Sequence, residues 1–342
     1  MLARFANISD VPLSWAQREF AMPLRAFLGE PALRAETLKR VRERWETRQI
    51  IPLIYLKWST RNKFASLAGT IAETQDPEQF VARTGITLEL ALLCETLINA
   101  GISFVDEEDA PFGFVTRGDG AIWSFGTEWL DAIDVDDDVS DVVTRFLPVF
   151  LAQILSDDFP LSARIAPGVR AAAYEIIELW TRELRGEAVS RQDWGTVRAN
   201  ALRASDTSAD PEGYPVAEFV ESLPWPLASI ATEFPVICQK FLHSCLQVLA
   251  ARFLPEQDQI DWIKCLVGAR ELSRARGEAR FAGASDEDIL DHLPQVKRAM
   301  FATQRPEMVS RMDAAKERAR PLMVPFLREQ MDGILTLLRR DA

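Results

Sequence analysis

Three aspartates with a spacing that suits metal binding lie near the middle of the chain. Asp137, Asp138 and Asp141 occur in the stretch D-D-V-S-D, and on a helix Asp137 and Asp141 would share one face. Magnesium is a hard cation that prefers oxygen ligands, which carboxylates supply. The spacing is therefore typical of a magnesium site. The same letters also fit the acidic start of a helix.

The helix interpretation needs fewer assumptions. With Asp138 as the N-cap and Asp141 three residues later, acidic side chains occupy the first turn of an apolar helix that begins near Val139. Each carboxylate there contributes about 0.3 to 1 kcal/mol by offsetting the helix dipole. We therefore predict that these aspartates begin a helix, and we retain the metal site as the alternative.

The D-D-x-x-D stretch resembles the aspartate-rich motif of isoprenoid and terpene synthases. This resemblance implies a magnesium-dependent, α-helical lyase or transferase with Asp137, Asp138 and Asp141 as its catalytic residues. The second metal motif of that family and its C-terminal Arg-Tyr pair are not found in this chain. The resemblance therefore rests on five residues.

No other motif supplies a complete active site. His243 and His292 are the only histidines, and no G-x-S-x-G, Walker A, G-x-G-x-x-G or H-E-x-x-H pattern occurs. We therefore expect no cofactor and no bound metal, and we favour a protein that acts by binding rather than by catalysis.

The acidic charge of the chain is concentrated in one stretch. The formal net charge is −12, and residues 101–160 carry 14 acidic and 2 basic side chains, so this stretch accounts for the whole excess. Such a field repels nucleic acid and anionic membranes, and it attracts a basic protein partner. We predict a binding surface made of acidic residues and two tryptophan anchors: Asp106, Glu107, Glu108, Asp109, Trp123, Trp129, Asp134, Asp136 and Asp137.

The stretch from Leu179 to Ser205 reads as two helices around a short turn, and it is similar to helical bacterial immunity proteins. This likeness implies a toxin-neutralising or inhibitory protein. The N-terminal residues contain no signal peptide pattern and the four cysteines lie in apolar segments, so we expect a cytoplasmic protein whose four thiols are reduced and buried. The sequence does not specify an oligomeric state.

Helical periodicity predicts a mainly α protein, an irregular multi-helix bundle with one inserted β-hairpin. The hairpin is expected at about 112–125, where Phe112 to Thr116 and Ala121 to Phe125 flank an Asp-Gly turn. Helices are expected near 13–28, 33–48, 63–74, 86–100, 139–155, 168–186, 191–204, 226–253, 257–275 and 306–338.

The domain division is predicted from turn-forming residues. Residues 205–215 combine Ser, Asp, Gly and Pro without apolar periodicity, which is typical of a linker. We expect an N-terminal helical lobe at 1–204, which carries the acidic hairpin segment 101–160, and a C-terminal helical lobe at 216–342.

Overall fold

The computed structural model describes residues 24–53, 55–59, 65–107 and 113–339. These residues form fourteen α-helices and one two-stranded antiparallel sheet, which confirms the prediction of a mainly α bundle with an inserted hairpin. The helices are α1 (Pro31–Glu46), α2 (Leu67–Ala72), α3 (Pro77–Thr84), α4 (Leu88–Gly101), α5 (Gly120–Asp131), α6 (Val142–Ile154), α7 (Pro167–Leu184), α8 (Arg191–Thr207), α9 (Tyr214–Ser222), α10 (Leu227–Ala251), α11 (Glu256–Gly277), α12 (Asp286–Asp291), α13 (Pro294–Thr303) and α14 (Pro306–Arg339).

The main core forms where α10 packs against α4, α9 and α14. Its centre is aromatic. The ring of Phe150 on α6 lies 5.3 Å from that of Phe234 on α10 and 5.7 Å from that of Phe326 on α14, both edge to face. Phe219 on α9 stacks on Phe241 of α10 at 4.2 Å. These contacts join four helices, so apolar burial between distant chain segments holds the bundle together.

The predicted linker 205–215 lies between α8 and α9. Helix α8 runs to Thr207, where Ser205 is buried, and α9 begins at Tyr214. One continuous cluster of buried side chains includes residues from both predicted lobes. The turn residues in this stretch therefore mark a short connection between two helices that pack against each other.

A second, smaller apolar cluster joins the end of α11 to α12 and α13. It is formed by Leu272, Ala275, Phe281, Ile289 and Val296. The helices α12 and α13 were not predicted, because each is short and Pro294 separates their apolar residues, of which Ile289 and Val296 are buried.

The hairpin differs in position from the prediction. Strand β1 (Ile102–Asp106) pairs with β2 (Phe114–Gly118), and the expected second arm, 121–125, belongs to α5. The side chain of Asp119 explains the difference, since it accepts a hydrogen bond from the backbone N–H of Ala121 at 2.9 Å. The Asp-Gly pair therefore caps a helix instead of forming a hairpin turn. Phe112 lies outside the described residues.

Helix α10 is the one helix of the described chain whose length and composition would suffice to cross a membrane. In this structure it is a core helix, because 56% of its most apolar window is buried against other elements. Cys238 and Cys245 on α10 are buried, as is Cys94 on α4, whereas Cys265 is partly exposed, so the expectation of four buried thiols is wrong for Cys265.

Candidate functional site

The acidic loop between α5 and α6 packs against the chain that leads into α1. The backbone N–H of Ala26 donates to the carbonyl of Asp137 at 2.8 Å, and the N–H of Asp136 donates back to the carbonyl of Ala26 at 3.1 Å. Asp136 adopts a positive φ of 76°, and a side chain at Gly29 would lie 2.5 Å from the Asp136 carboxylate. The loop therefore packs closely against this turn, and position 29 has room only for glycine.

Arginines from the N-terminal part of the chain pair with this acidic loop. Arg25 contacts Asp136 at 2.6 Å and Arg34 approaches Asp134 at 3.6 Å. Arg42 on α1 forms a salt bridge with Asp131 at the end of α5. Much of the charge that the sequence concentrates at 131–137 is thus compensated by basic residues roughly a hundred positions away in the chain.

The Arg34 side chain also forms hydrogen bonds with the backbone of the loop. Its Nε donates to the carbonyl of Ile133 at 2.9 Å, and its Nη2 donates to the carbonyl of Asp131 at 2.9 Å. These two bonds are shorter than its contact with the Asp134 carboxylate. Arg34 therefore acts mainly as a donor to the carbonyl groups that follow α5.

The three aspartates of the D-D-x-x-D stretch have separate local partners. Asp137 accepts from the N–H of Asp134 at 2.6 Å, and Asp138 accepts from the N–H of Ser140 at 3.0 Å. Asp141 pairs with Arg145 one helical turn later, at 3.0 Å. Within the described ranges, no three His, Cys, Asp or Glu side chains lie close enough together to hold a metal ion.

The helix after these aspartates starts later than predicted. Helix α6 begins at Val142, so Asp141 occupies the N-cap position that the sequence analysis gave to Asp138. The Asp141 side chain makes no capping hydrogen bond. The Asp138 side chain accepts from the N–H of Ser140 and so closes a turn just before the helix. The aspartates thus lead into a helix, but the electrostatic contribution of Asp141 comes through Arg145 and the helix dipole.

The acidic residues at the end of β1 are arranged differently from those of the loop. Asp106 and Glu107 are exposed, and no ion pair joins either of them to another described residue. The backbone N–H of Glu107 donates to the carbonyl of Gly113 at 2.9 Å, which extends the hairpin by one pair. Glu108 and Asp109 lie outside the described residues.

The two tryptophans predicted as anchors do not present free rings. Trp129 is fully buried in the core. The ring of Trp123 stacks on that of Trp45 at 4.2 Å, and the guanidinium of Arg48 lies 3.9 Å above its centre. The indole N–H of Trp45 also donates to the Trp123 carbonyl at 3.0 Å. Trp123 therefore joins α5 to α1, and its exposed face is covered by Arg48.

A pair of phenylalanines on the hairpin is the exposed aromatic feature near the acidic residues. The rings of Phe104 and Phe114 meet edge to face at 5.4 Å, and Phe104 is 43% exposed. This pair was not predicted, because residues 102–106 were not expected to form a strand. The alternation of Ile102, Ser103 and Phe104, followed by the β-branched Val105, is the signal that indicates a strand there.

One buried carboxyl group was also missed. Glu95 on α4 is fully buried, and it accepts backbone hydrogen bonds from Leu53 at 2.7 Å, Leu67 at 2.8 Å and Ala68 at 3.2 Å. Burial raises the pKa of Glu95 to about 8, against the opposing effect of the three hydrogen bonds. The group holds the N-terminus of α2 against α4, which is a structural task.

Two depressions of the described surface were considered as possible active sites. A slot of about 170 Å³ lies between α9 and α10, lined by Phe219 and Phe241 and by the ion pair of Glu218 with Lys240. A wider depression of about 500 Å³ runs along α1 beside Arg34 and Asp131. Neither contains a nucleophile next to a general base.

Comparison with known proteins gives no relative: no family model, no curated protein and no solved structure matches this chain.

Proposed function

We propose that this protein is a non-enzymatic binding module that engages a basic protein partner through the acidic, aromatic end of its hairpin. The observation that supports this proposal is the exposure of Asp106 and Glu107, which have no ion pair among the described residues, beside the exposed ring of Phe104. Unpaired charges at a surface steer and select oppositely charged partners. An exposed aromatic ring adds contact area at small entropic cost.

The acidic loop 131–137 contributes less to the proposed binding surface. Asp134 and Asp136 face Arg34 and Arg25, so a partner would have to replace existing ion pairs to gain from them. Asp106 and Glu107 require no such exchange. The partner class is a basic protein, for example a toxin that the chain would neutralise in the cytoplasm.

A charge-reversal experiment tests this proposal. The variant D106K/E107K is compared with D157K/D158K, which changes the net charge equally at two exposed aspartates outside the hairpin. Binding of a fluorescent heptalysine peptide is measured by anisotropy at two salt concentrations. We expect D106K/E107K to weaken binding at least fivefold and to flatten its salt dependence, while D157K/D158K changes binding less than twofold.

Equal weakening in the two variants would mean that net charge alone attracts the peptide. Unchanged binding in D106K/E107K would show that the hairpin does not bind the peptide. Either result contradicts the proposal.

A further inference from the structure

The outer edge of β1 carries unpaired backbone groups. In an antiparallel ladder, opposed residues alternate between exchanging two hydrogen bonds and exchanging none. The bond from Glu107 N–H to the Gly113 carbonyl fixes this alternation, because the register places Val105 opposite Val115 and Phe104 opposite Thr116. The N–H and C=O groups of Phe104 and Asp106 therefore point away from β2.

No other described element forms backbone hydrogen bonds with this edge. Neither Phe104 nor Asp106 has a backbone hydrogen bond outside the hairpin ladder, and both residues are exposed. The opposite edge of the hairpin is different, since Arg48 donates to the carbonyl and the hydroxyl of Thr116 at 2.8 and 2.9 Å. An open strand edge is a template on which another chain can add a strand.

We infer that β1 accepts an extended segment of the basic partner as a third strand. This inference rests on the proposed function, and it adds the mode of binding. Phe104 and Asp106 alternate along β1, so their side chains share one face with Phe114, which lies opposite Asp106. In an added strand, every second side chain would lie on this same face, within about 5 Å of the neighbouring β1 side chains.

The chemistry of this face selects the occupant. The carboxylate of Asp106 favours lysine or arginine at the facing positions, and the ring of Phe104 accepts the alkyl stem or the cation of the same residue. A second copy of this chain would bring Asp106 and Glu107 of both hairpins into one interface, where like charges repel. The partner segment therefore has a basic residue at alternate positions.

Two peptides of identical charge distinguish strand addition from simple attraction. The first is an acetylated heptapeptide of alternating lysine and valine, and the second carries an N-methyl group on every residue, so that neither of its edges can donate the hydrogen bonds of a ladder. We expect the first peptide to bind at least tenfold more tightly than the N-methylated one. It should also slow hydrogen exchange of the Phe104 and Asp106 amides.

A pair of variants locates the contact on β1. F104A removes the ring and keeps the backbone N–H, whereas F104P removes both, at a position where the N–H faces away from β2. We expect F104P to bind the lysine-valine peptide at least fivefold more weakly than F104A. Circular dichroism and the Tm of each variant confirm that the bundle remains folded.

Each contrary result has a separate meaning. Equal binding of the two peptides, or of the two variants, overturns strand addition, while the proposed function still stands if the heptalysine experiment gives its expected result. If the heptalysine experiment fails, the proposal of a basic partner is itself wrong. Hydrogen exchange of the Phe104 amide is also measured without peptide at rising protein concentration. If protection of this amide rises with the concentration, the occupant is a second copy of the chain, and the inference is overturned.

Discussion

The carboxyl group of Glu95 on α4 accepts a hydrogen bond from the backbone N–H of Leu67, the first residue of α2, at 2.8 Å. This bond satisfies one of the N–H groups that a helix leaves unpaired at its start. It also places an ionisable group where water does not reach, and this position makes the stability of the fold depend on pH.

We predict that Glu95 lowers the free energy of unfolding as the pH rises toward 8. The folded pKa is about 8, above the ordinary value of about 4.3 in the unfolded chain. Between these values the folded state binds a proton that the unfolded state lacks, so stability falls by up to about 1.4 kcal/mol per pH unit. The variant E95Q has no proton to lose and should lack this slope. Urea unfolding from pH 5 to 9 measures it.

The control for this experiment is E128Q, which removes an exposed carboxylate from α5. We expect it to follow the wild-type pH dependence. Parallel curves for wild type and E95Q would show that Glu95 does not bind a proton on folding in this range.

A second prediction concerns the acidic loop after α5. R34A should cost about 1 to 3 kcal/mol, because it removes two hydrogen bonds to backbone carbonyls in a partly buried place. D134A should cost less than about 1 kcal/mol, since the Asp134 side chain is 66% exposed and its ion pair is long. Chemical denaturation of both variants measures the difference. An equal cost for the two would assign the role of Arg34 to the ion pair instead.

The contact of α1 with α5 gives a third prediction. A β-carbon at Gly126 would lie 2.2 Å from the Trp45 ring, so G126A must push the indole out of its place. Overpacking of this kind costs about 1 to 3 kcal/mol. The matched control is G195A in α8, where a β-carbon meets nothing within 4 Å, and where alanine should stabilise the helix by about 0.5 to 1 kcal/mol. Opposite shifts of Tm are expected, and a neutral G126A would show that α5 can move.

Magnesium provides the fourth prediction. Because Asp137, Asp138 and Asp141 have separate local partners, millimolar magnesium should shift the Tm only as much as sodium chloride of the same ionic strength. Isothermal calorimetry should show no saturable binding. Stoichiometric binding that disappears in D137N/D141N would instead support the magnesium-dependent lyase or transferase.

The helices that could be predicted are those with a clear apolar stripe. Leu88, Leu93 and Leu97 recur at helical spacing, and α4 occupies Leu88–Gly101 where 86–100 was expected. Helix α5 was misassigned because its first residues, with Trp123 and Phe125, have aromatic character typical of strands. Its burial against Trp45 and α14 overrides this local preference.

The charge pairing around the candidate site could not be predicted from the sequence. Arg25 and Asp136 are 111 positions apart. The packing of α1 on α5 and the backbone bonds of Ala26 with the loop bring these regions together. A count of charges along the chain locates an acidic stretch correctly, but it cannot say which carboxylates have partners. The distinction between the paired loop and the unpaired hairpin exists only in three dimensions.

Helix α14 packs against α4, α5, α6 and α10. All of these helices come before α14 in the chain. During synthesis on the ribosome, the apolar faces of those helices therefore emerge before the helix that covers them. The core cannot close until Phe326, Leu327 and Ile334 have been made. Nascent chains of this protein therefore expose apolar surface until α14 has been made, and such surface favours aggregation.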